Sequence, residues 1–404
     1  MKNRLTALIL FVFFANSSQL FSQNNLEKAK NLAQNYIIVD GHVDLPYRLK
    51  VKNFRMEKEF VGIPIASESG DFDFKRAKKG GLDAPIMSIY IPASYEPADA
   101  QKLADSLISM VEYISAENPD YFQVAKTPKE ISKITKKGKI ALPMGMENGS
   151  PIITLADVAA YRAKGISYIT LCHGKDNRIC DSSYDTTGTW KGLSPFGKEV
   201  VVAMANEGIM IDVSHISDNS FYQVVEMAPV PVIASHSSSR FYTPDFQRNM
   251  SDDMVKKLAK NGGVIMINFG STFLSNEVTE YRKSLQSEIK KILDEKGVKP
   301  RSDEAEAIMD EFFAKHPLAF TDVKKVADHI DHVRSLAGID HIGLGSDFDG
   351  VGNSLPTGLK DVADYPNLIA ELLNRGYSDK DIQKICSGNV FRVWNKVLAY
   401  AEKH

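Results

Sequence analysis

The sequence has 404 residues, and its 49 Lys and Arg nearly balance its 51 Asp and Glu, which gives a formal net charge of −2. This balance argues against a basic nucleic-acid or anionic-lipid binder, because such proteins concentrate positive charge. With 43% hydrophobic and 25% charged residues, the chain has the composition of a globular protein rather than of a disordered chain or a membrane bundle.

The N-terminus carries the pattern of a secretory signal peptide over residues 1–22. Lys2 and Arg4 precede an apolar stretch at 5–14, and small and polar residues follow it. The apolar stretch is shorter than the ~20 residues that a membrane-spanning helix needs. We therefore expect an exported protein, periplasmic or secreted, whose mature chain is a single domain over 23–404 without a transmembrane segment. A retained N-terminal anchor is the alternative.

Eight short apolar runs recur along the chain, and helical stretches separate them. Their β-branched and aliphatic residues are typical of strands that are buried on both faces, and hence of a parallel sheet. The runs cover 36–40, 84–91, 140–146, 167–173, 209–215, 231–236, 264–269 and 341–347. Eight such strands alternating with helices predict an α/β fold, a (β/α)8 TIM-like barrel. A doubly wound open sheet is the alternative, but no strand leads into a Gly-x-Gly-x-x-Gly turn.

Amphipathic periodicity predicts helices between the strands, and a charged interval interrupts the alternation. The helices cover 98–117, 155–164, 196–207 and 252–261. The interval at 279–317 is highly charged, but its apolar residues recur with helical spacing. We expect there a helical insertion between strands 7 and 8, followed by a helix at 321–337.

Three cysteines, Cys172, Cys180 and Cys386, are too few to scaffold a fold of this size. Cys172 and Cys180 could pair across a short loop, or they could be free buried thiols.

Histidines and carboxylates follow the apolar runs where the predicted strands end. In a barrel these ends form the rim that carries active sites. Six such residues are His42 and Asp44 after strand 1, Glu147 after strand 3, His215 after strand 5, His236 after strand 6 and Asp347 after strand 8. Taken singly, each could be a turn-stabilising, helix-capping or hydrogen-bonded structural residue. Together, imidazoles and carboxylates in one concave site are ligands for zinc, and Glu147 could bridge two ions.

Seven blocks of the sequence resemble the membrane (renal-type) dipeptidases, a zinc metallopeptidase family within the amidohydrolase superfamily. They occur in family order at 39–46, 145–149, 211–215, 231–237, 248–253, 341–350 and 365–373. The resemblance implies two Zn²⁺ per chain. His42 and Asp44 would hold one ion, His215 and His236 would hold the other, and Glu147 would bridge them.

The resemblance also implies roles for three residues in catalysis and substrate binding. His173, after strand 4, would contact the substrate near the scissile carbonyl, and Arg248 would bind the terminal carboxylate of the substrate. Asp347 would contact the substrate too, and would pass a proton from the metal-activated water to the departing amine. We expect the Asp347 carboxylate to lie across the barrel mouth from His42 and Asp44.

The implied function is zinc-dependent hydrolysis of dipeptides with a free C-terminal carboxylate, by a hydroxide that two metal ions activate. Tolerance of a D-residue at the second position and assembly into a homodimer stay open, and no nucleic acid is expected as a partner. The same barrel could instead hydrolyse another amide, a lactam or an ester, but such a substrate without a carboxylate would have no use for Arg248. An inactive exported binding protein is a remote alternative, because the full set of ligands and Asp347 is retained.

Three features depart from the family pattern, and a fourth, Asp349, belongs to the pattern without an expected role in the chemistry. Gly270 follows the Asn-Phe pair after strand 7, where the family often has an aromatic residue, so an aromatic contact from that position is missing. Residues 174–178 are not typical of the family and could shape the pocket. The insertion over 282–317 could cover the pocket mouth or an oligomer face. Asp349 shares the motif of strand 8, but we expect it to be structural, in the turn with Gly350.

Overall fold

The computed structural model describes residues 23–53, 64–299 and 302–404. The predicted signal peptide at 1–22 lies outside the described residues. Within the described ranges, no helix combines the length and the apolar character that crossing a membrane requires.

Eight parallel strands close into a barrel. The described residues contain ten strands in all, which are, in chain order, β1 (Ile38–Val43), β2 (Leu82–Tyr90), β3 (Phe122–Val124), β4 (Ile140–Leu142), β5 (Met144–Glu147), β6 (Ile166–Thr170), β7 (Met210–Asp212), β8 (Ile233–Ser237), β9 (Val264–Ile267) and β10 (Ile342–Leu344). The barrel runs β1-β2-β5-β6-β7-β8-β9-β10, and β10 pairs with β1 to close it. The (β/α)8 barrel is confirmed, and the open sheet is wrong because β1 is paired on both edges.

The third apolar run differs from the prediction because it divides into two strands. β4 pairs with β3 in a separate two-stranded sheet, and β5 joins the barrel. Pro143 lies between β4 and β5, and proline has no backbone N–H with which to continue a ladder. Its carbonyl still accepts a hydrogen bond of 2.8 Å from the backbone N of Met87.

The helices surround the barrel, and several begin and end where the sequence predicts. They are α1 (23–35), α2 (Leu45–Asn53), α3 (Phe74–Gly80), α4 (Pro97–Glu117), α5 (Pro128–Thr135), α6 (Leu155–Lys164), α7 (Pro195–Asn206), α8 (Asp218–Met227), α9 (Asp252–Asn261), α10 (Ser271–Leu274), α11 (Asn276–Lys296), α12 (Asp303–Lys315), α13 (Val323–Ala337), α14 (Tyr365–Asn374), α15 (Asp379–Gln383) and α16 (Asn389–Ala401). Caps explain the agreement at α9. The Ser251 side chain accepts from the N–H of Met254, and Gly262 ends the helix with a φ of 86°.

The predicted insertion between the seventh and eighth barrel strands consists of α11 and α12. It begins at Asn276, a few residues earlier than predicted, because Ser275 caps the helix by accepting from the N–H of Val278. The pair has an apolar cluster of its own, separate from the main core, formed by Leu285, Ile289, Leu293, Ala305 and Phe312. The two helices therefore pack on each other.

Barrel strands carry apolar side chains along their length and polar ones toward their carboxyl ends. Glu147 is the last residue of β5, and His236 is the penultimate residue of β8. Because all eight strands are parallel, their carboxyl ends meet at one rim of the barrel. The candidate site lies at this rim. Cys172, Cys180 and Cys386 are buried free thiols elsewhere in the core.

Candidate active site

A pocket of about 440 Å³ opens at the carboxyl ends of the barrel strands. It is lined by Asp44, Tyr47, Tyr90, Glu147, His173, Tyr184, His215, His236, Thr272, Phe273, Asp347, Asp349, Gly350 and Val351. The lining includes most of the residues that the sequence predicts for the site. Two predicted residues, His42 and Arg248, are not among the lining residues.

Glu147 is the centre of this site. Its Oε1 lies 3.0 Å from Nε2 of His215 and 3.2 Å from Nε2 of His236. The same oxygen is 3.6 Å from Nε2 of His173, and Oε2 is 3.2 Å from Nε2 of His42. One buried carboxylate therefore contacts four imidazoles that come from four different strands or strand ends.

Asp44 completes the predicted set of metal ligands. Its Oδ2 lies 3.4 Å from Nε2 of His42. The ligand atoms of His42, Asp44 and Asp347 all lie within 4.8 Å of one another, and so do those of His42, Glu147 and His236. The structure thus brings the predicted ligands together in overlapping groups.

Asp347 lies beside His42 and Asp44, so the expectation that it faces them across the barrel mouth is wrong. The reason is the closure of the barrel, which pairs β10 directly with β1. The backbone N of Asp347 donates to the carbonyl of His42 at 3.1 Å. The Asp347 Oδ2 accepts a hydrogen bond of 2.8 Å from the Asn268 side-chain amide.

The hydrogen bonds of His42 leave its Nε2 available for a metal ion. Nδ1 of His42 lies 2.7 Å from the Tyr168 hydroxyl, and that hydroxyl donates to the carbonyl of Gly41 at 3.1 Å. A hydroxyl has one proton, so the Tyr168 oxygen accepts from Nδ1–H of His42. The Tyr168 ring fits because position 145 is glycine: a Cβ there would lie 2.1 Å from a ring carbon.

The same argument applies to His236. Ser235 Oγ donates to Oδ2 of Asp212 at 2.6 Å and lies 2.8 Å from Nδ1 of His236. Its single proton is used on Asp212, so it accepts from Nδ1–H, and Nε2 of His236 keeps its lone pair. That lone pair faces the Nε2 of His215 at 2.8 Å.

This donor set fits divalent metal ions. Within the described part of the chain, Nε2 of His42 and Oδ1 of Asp44 are buried without a hydrogen-bond partner. Buried polar atoms without partners are costly unless an ion or another ligand satisfies them. Neutral imidazole nitrogens and carboxylate oxygens, held by hydrogen bonds from behind, are the ligands of zinc sites in proteins.

Burial and neighbouring charges adjust the protonation of the site. Burial lowers the pKa of His215 and His236 well below the usual range, so both rings are neutral. In the metal-free site, burial acts to lower the pKa of His42, but Tyr168, Glu147 and Asp44 outweigh burial and raise that pKa well above its usual range. Burial acts to raise the pKa of Glu147, but the charge of His42 and the hydrogen bonds from His215 and His236 hold that pKa well below its usual range. A metal ion on Nε2 of His42 would displace the proton that this ring carries in the metal-free site. Burial raises the pKa of Asp347 to about 8, and the charges of Asp44 and Glu147 add to the rise.

Two of the predicted site residues have backbone conformations that are unusual for their type. His215 has a φ of 70° and Asp347 a φ of 64°, both in the left-handed region. Residues other than glycine adopt this region only where the surrounding structure holds them there, and such residues cluster at functional sites.

His173 lies at the open side of the site. Its side chain is 23% exposed, and its ring contacts the ring of Tyr90, with centroids 4.9 Å apart. Burial lowers the pKa of His173, which keeps the ring neutral and able to donate a hydrogen bond.

Arg248 lies behind His236 and is only 3% exposed. Its Nη1 donates to Ser237 Oγ and its Nη2 to the carbonyl of His236, both at 2.6 Å. Its Nε is buried without a partner in the described chain. Since a guanidinium has five N–H donors, three remain for a ligand.

Asp349 connects the turn after β10 to neighbouring segments. Its Oδ1 accepts from Nη1 of Arg48 at 2.9 Å and from the backbone N of Asp71 at 2.7 Å, and its own N donates to Asp71 Oδ2 at 2.8 Å. These contacts agree with the structural role that the sequence predicts for it.

Several contributors are not found by the sequence reasoning. Tyr168, Ser235 and Asp212 orient the histidines from behind, and Phe273 is one of several aromatic residues that line the pocket. The sequence could have indicated a role for Asp212, since a charged residue inside an apolar run needs buried partners. The pocket aromatics carry no such signal, because an aromatic residue in a loop is common in any fold.

The chain is similar in sequence to a known family of proteins. A sequence model described as membrane dipeptidase (peptidase family M19) matches residues 26–404. Dipeptidase 3 of Mus musculus is 30% identical over 387 residues, which are 93% of this chain and 68% of the mouse protein.

Two solved structures share the fold. The probable dipeptidase PvdM from Pseudomonas aeruginosa has a TM-score of 0.78 and 24% identity, covering 94% of this chain and 100% of that chain. A metallopeptidase from Rhodobacter sphaeroides, solved with a phosphinate mimic of the dipeptide L-Ala-D-Ala, has a TM-score of 0.73 and 20% identity, covering 90% and 99%.

Proposed function

The chain belongs to the membrane dipeptidase family of metallopeptidases, hydrolases that act on peptide bonds, and from this premise we propose that it cleaves dipeptides with a free C-terminal carboxylate, using two zinc ions. One observation carries the proposal: four imidazoles surround the buried carboxylate of Glu147 at the pocket floor, with Nε2 atoms 3.0–3.6 Å from its oxygens.

The proposed ion sites share Glu147. His42 and Asp44 would hold one ion, His215 and His236 would hold the other, and Glu147 would bridge them. When bound, the ions would act as Lewis acids and lower the pKa of water toward ~7, so that a hydroxide nucleophile is available at neutral pH.

Arg248 would recognise the terminal carboxylate. Its three remaining N–H donors, among them the buried Nε–H, can form charge-assisted hydrogen bonds with the two carboxylate oxygens. Because Arg248 is nearly buried, only a small terminal group can reach it. This restriction favours very short peptides with a free C-terminus.

His173 and Asp347 would act on the peptide bond itself. The neutral ring of His173 can donate a hydrogen bond to the carbonyl oxygen of the substrate as negative charge develops there. Asp347 would accept the proton of the attacking water and deliver it to the departing amine nitrogen. The Asp347 carboxylate is held by the Asn268 amide beside His42 and Asp44, a position that suits both transfers.

The size of the pocket agrees with a dipeptide. Its volume of about 440 Å³ lies toward the small end of ligand pockets, which span roughly 300–1,000 Å³. The Rhodobacter structure with a mimic of L-Ala-D-Ala is a reason to include D-residues at the second position among the substrates to be tested.

A hydrolysis screen on protein of measured metal content tests the proposal. The substrates are dipeptides with L- or D-residues at the second position, each with a free or an amidated C-terminus. We expect about two zinc ions per chain, loss of activity with a chelator, recovery on adding zinc, and poor hydrolysis of the amidated forms.

Two variants sharpen the screen. His215→Ala should lose metal and activity, whereas His316→Ala, in the insertion, should keep both. One tightly bound ion per chain under zinc-replete conditions would contradict the bridged site. Equal rates on free and amidated dipeptides would contradict the role of Arg248 and favour hydrolysis of another amide, a lactam or an ester.

We also propose that the protein is exported, on the pattern of residues 1–22. Mass spectrometry of the protein from its natural host should find an N-terminus close to residue 23. An intact N-terminus beginning at Met1 would contradict export by signal cleavage.

A further inference from the structure

The pocket has an apolar wall beside its polar floor. Thr272 and Phe273 of α10 and Val351 after β10 line this wall. The Phe273 ring packs edge-on against Phe246, with centroids 5.3 Å apart. The carbonyl of Phe273 accepts a hydrogen bond of 2.7 Å from the Asn249 side-chain amide. Phe273 is therefore held by a hydrogen bond to its backbone and by the contact of its ring with Phe246.

The wall depends on the glycine at position 270. A Cβ there would lie 2.9 Å from Cγ1 of Val351 and 3.0 Å from Cδ2 of Phe273, closer than ordinary van der Waals contact. A side chain at position 270 would therefore displace Val351 or Phe273 from the wall. Position 270 therefore offers the pocket no side chain, and the aromatic ring that lines this wall comes from α10, as Phe273.

Phe273 lies beside Arg248 and lines the pocket together with Asp347, and these are the two groups that the proposed function assigns to the C-terminal half of the substrate. The guanidinium carbon of Arg248 is 5.5 Å from the centroid of the Phe273 ring. Asp347 is linked to the segment that precedes Phe273, because the backbone N of Gly270 donates to Asn268 Oδ1 at 2.7 Å and the Asn268 amide donates to Asp347.

We infer that Phe273, with Val351, determines which C-terminal residue the enzyme accepts, and that it favours dipeptides with an apolar C-terminal side chain. The inference rests on the proposed function. The C-terminal residue extends from the scissile nitrogen, assigned to Asp347, to the carboxylate, assigned to Arg248. A side chain leaving its Cα between these two groups meets the apolar wall.

The chemistry of this wall sets the preference. An aliphatic side chain gains free energy when it leaves water for contact with an aromatic ring and a valine. A charged side chain would lose hydration there without gaining a partner. Tyr47 and Tyr90 also line the pocket, outside this wall, and pack edge-on against each other with centroids 4.7 Å apart; we assign this pair to the N-terminal residue.

Two substrate series test the inference. The first, Ala-Xaa with Gly, Leu, Asp or Lys at the second position, varies the C-terminal residue, and the second, Xaa-Ala, varies the N-terminal one. In the native enzyme, kcat/KM should be higher for Ala-Leu than for Ala-Gly, Ala-Asp or Ala-Lys. Phe273→Ala should reduce the Ala-Leu to Ala-Gly ratio by ~10-fold. Val351→Ala should change it in the same direction by less.

Tyr47→Ala is the matched control, since it removes an aromatic ring that lines the same pocket but does not belong to the wall. It should leave the Ala-Xaa ratios unchanged and alter those of the Xaa-Ala series. An active Phe273→Ala enzyme with native Ala-Xaa ratios would overturn the inference and leave the proposed function intact. If the native enzyme cleaves no dipeptide, both fall together. Phe273→Leu replaces the alanine variant if that variant does not fold, and it should weaken the same ratio.

Discussion

Tyr168→Phe tests whether the protein itself orients His42 for metal binding. The substitution removes one hydroxyl and keeps the ring, so the packing against Gly145 is retained. Nδ1–H of His42 then loses its acceptor at 2.7 Å in a fully buried environment. An unsatisfied buried donor costs about 1–3 kcal/mol. Partners that orient a metal-bound histidine contribute about 10–100-fold to metal affinity. We therefore expect zinc to bind 10–100-fold more weakly at the site that contains His42.

The assay is a competition titration of metal-free protein with a zinc-binding dye, which resolves the dissociation constants of the two ions. Tyr161→Phe is the matched control, because Tyr161 is also buried but lies on α6, outside the barrel. A Tyr168→Phe protein that folds and binds both ions with native affinity would refute the reasoning. If the Tyr161 variant binds zinc equally weakly, the effect comes from the loss of any buried hydroxyl and not from the orientation of His42.

Three further predictions address catalysis, recognition and pH. Asp347→Asn should lower kcat by ~10²–10⁴-fold in steady-state assays and leave the metal content unchanged; loss of an ion would identify Asp347 as a ligand. Arg248→Ala should cost at least ~2 kcal/mol in kcat/KM for free dipeptides and little for amidated ones; equal losses on both would contradict carboxylate binding. Burial raises the pKa of Asp347 from 3.8 to about 8 in the folded, metal-free protein. Between pH 3.8 and about pH 8, the folded protein therefore binds a proton at Asp347 that the unfolded chain does not bind. The free energy of unfolding should accordingly fall as the pH rises through this range. Urea unfolding at pH 5 and pH 8.5 measures this fall, and Asp347→Asn should reduce it.

Much of the barrel could be predicted because the local pattern of apolar and polar residues indicates which segments are buried. Strands buried on both faces must be apolar throughout, and a parallel sheet needs helices between its strands, so the alternation at 36–40, 84–91 and onward predicts the fold. The prediction of a single strand for the third run is wrong, because the apolar pattern of that run continues across Pro143 although the strand does not. Only the pairing partners, β3 for β4 and β2 for β5, show where the run divides.

The sequence by itself determined the order of the polar residues along the strands, and hence that His42, Asp44, Glu147, His215 and His236 reach one rim. It could do so because parallel strands bring every carboxyl end to the same side of a barrel.

Only the tertiary structure decided how these residues meet. Closure of the barrel pairs β10 with β1 and so places Asp347 beside His42. Tyr168, from β6, reaches across to His42, Arg248 is buried behind His236, and Phe273 reaches the pocket wall. These contacts join segments far apart in the chain, and no local periodicity encodes such contacts, because they depend on how the closed barrel and its loops pack.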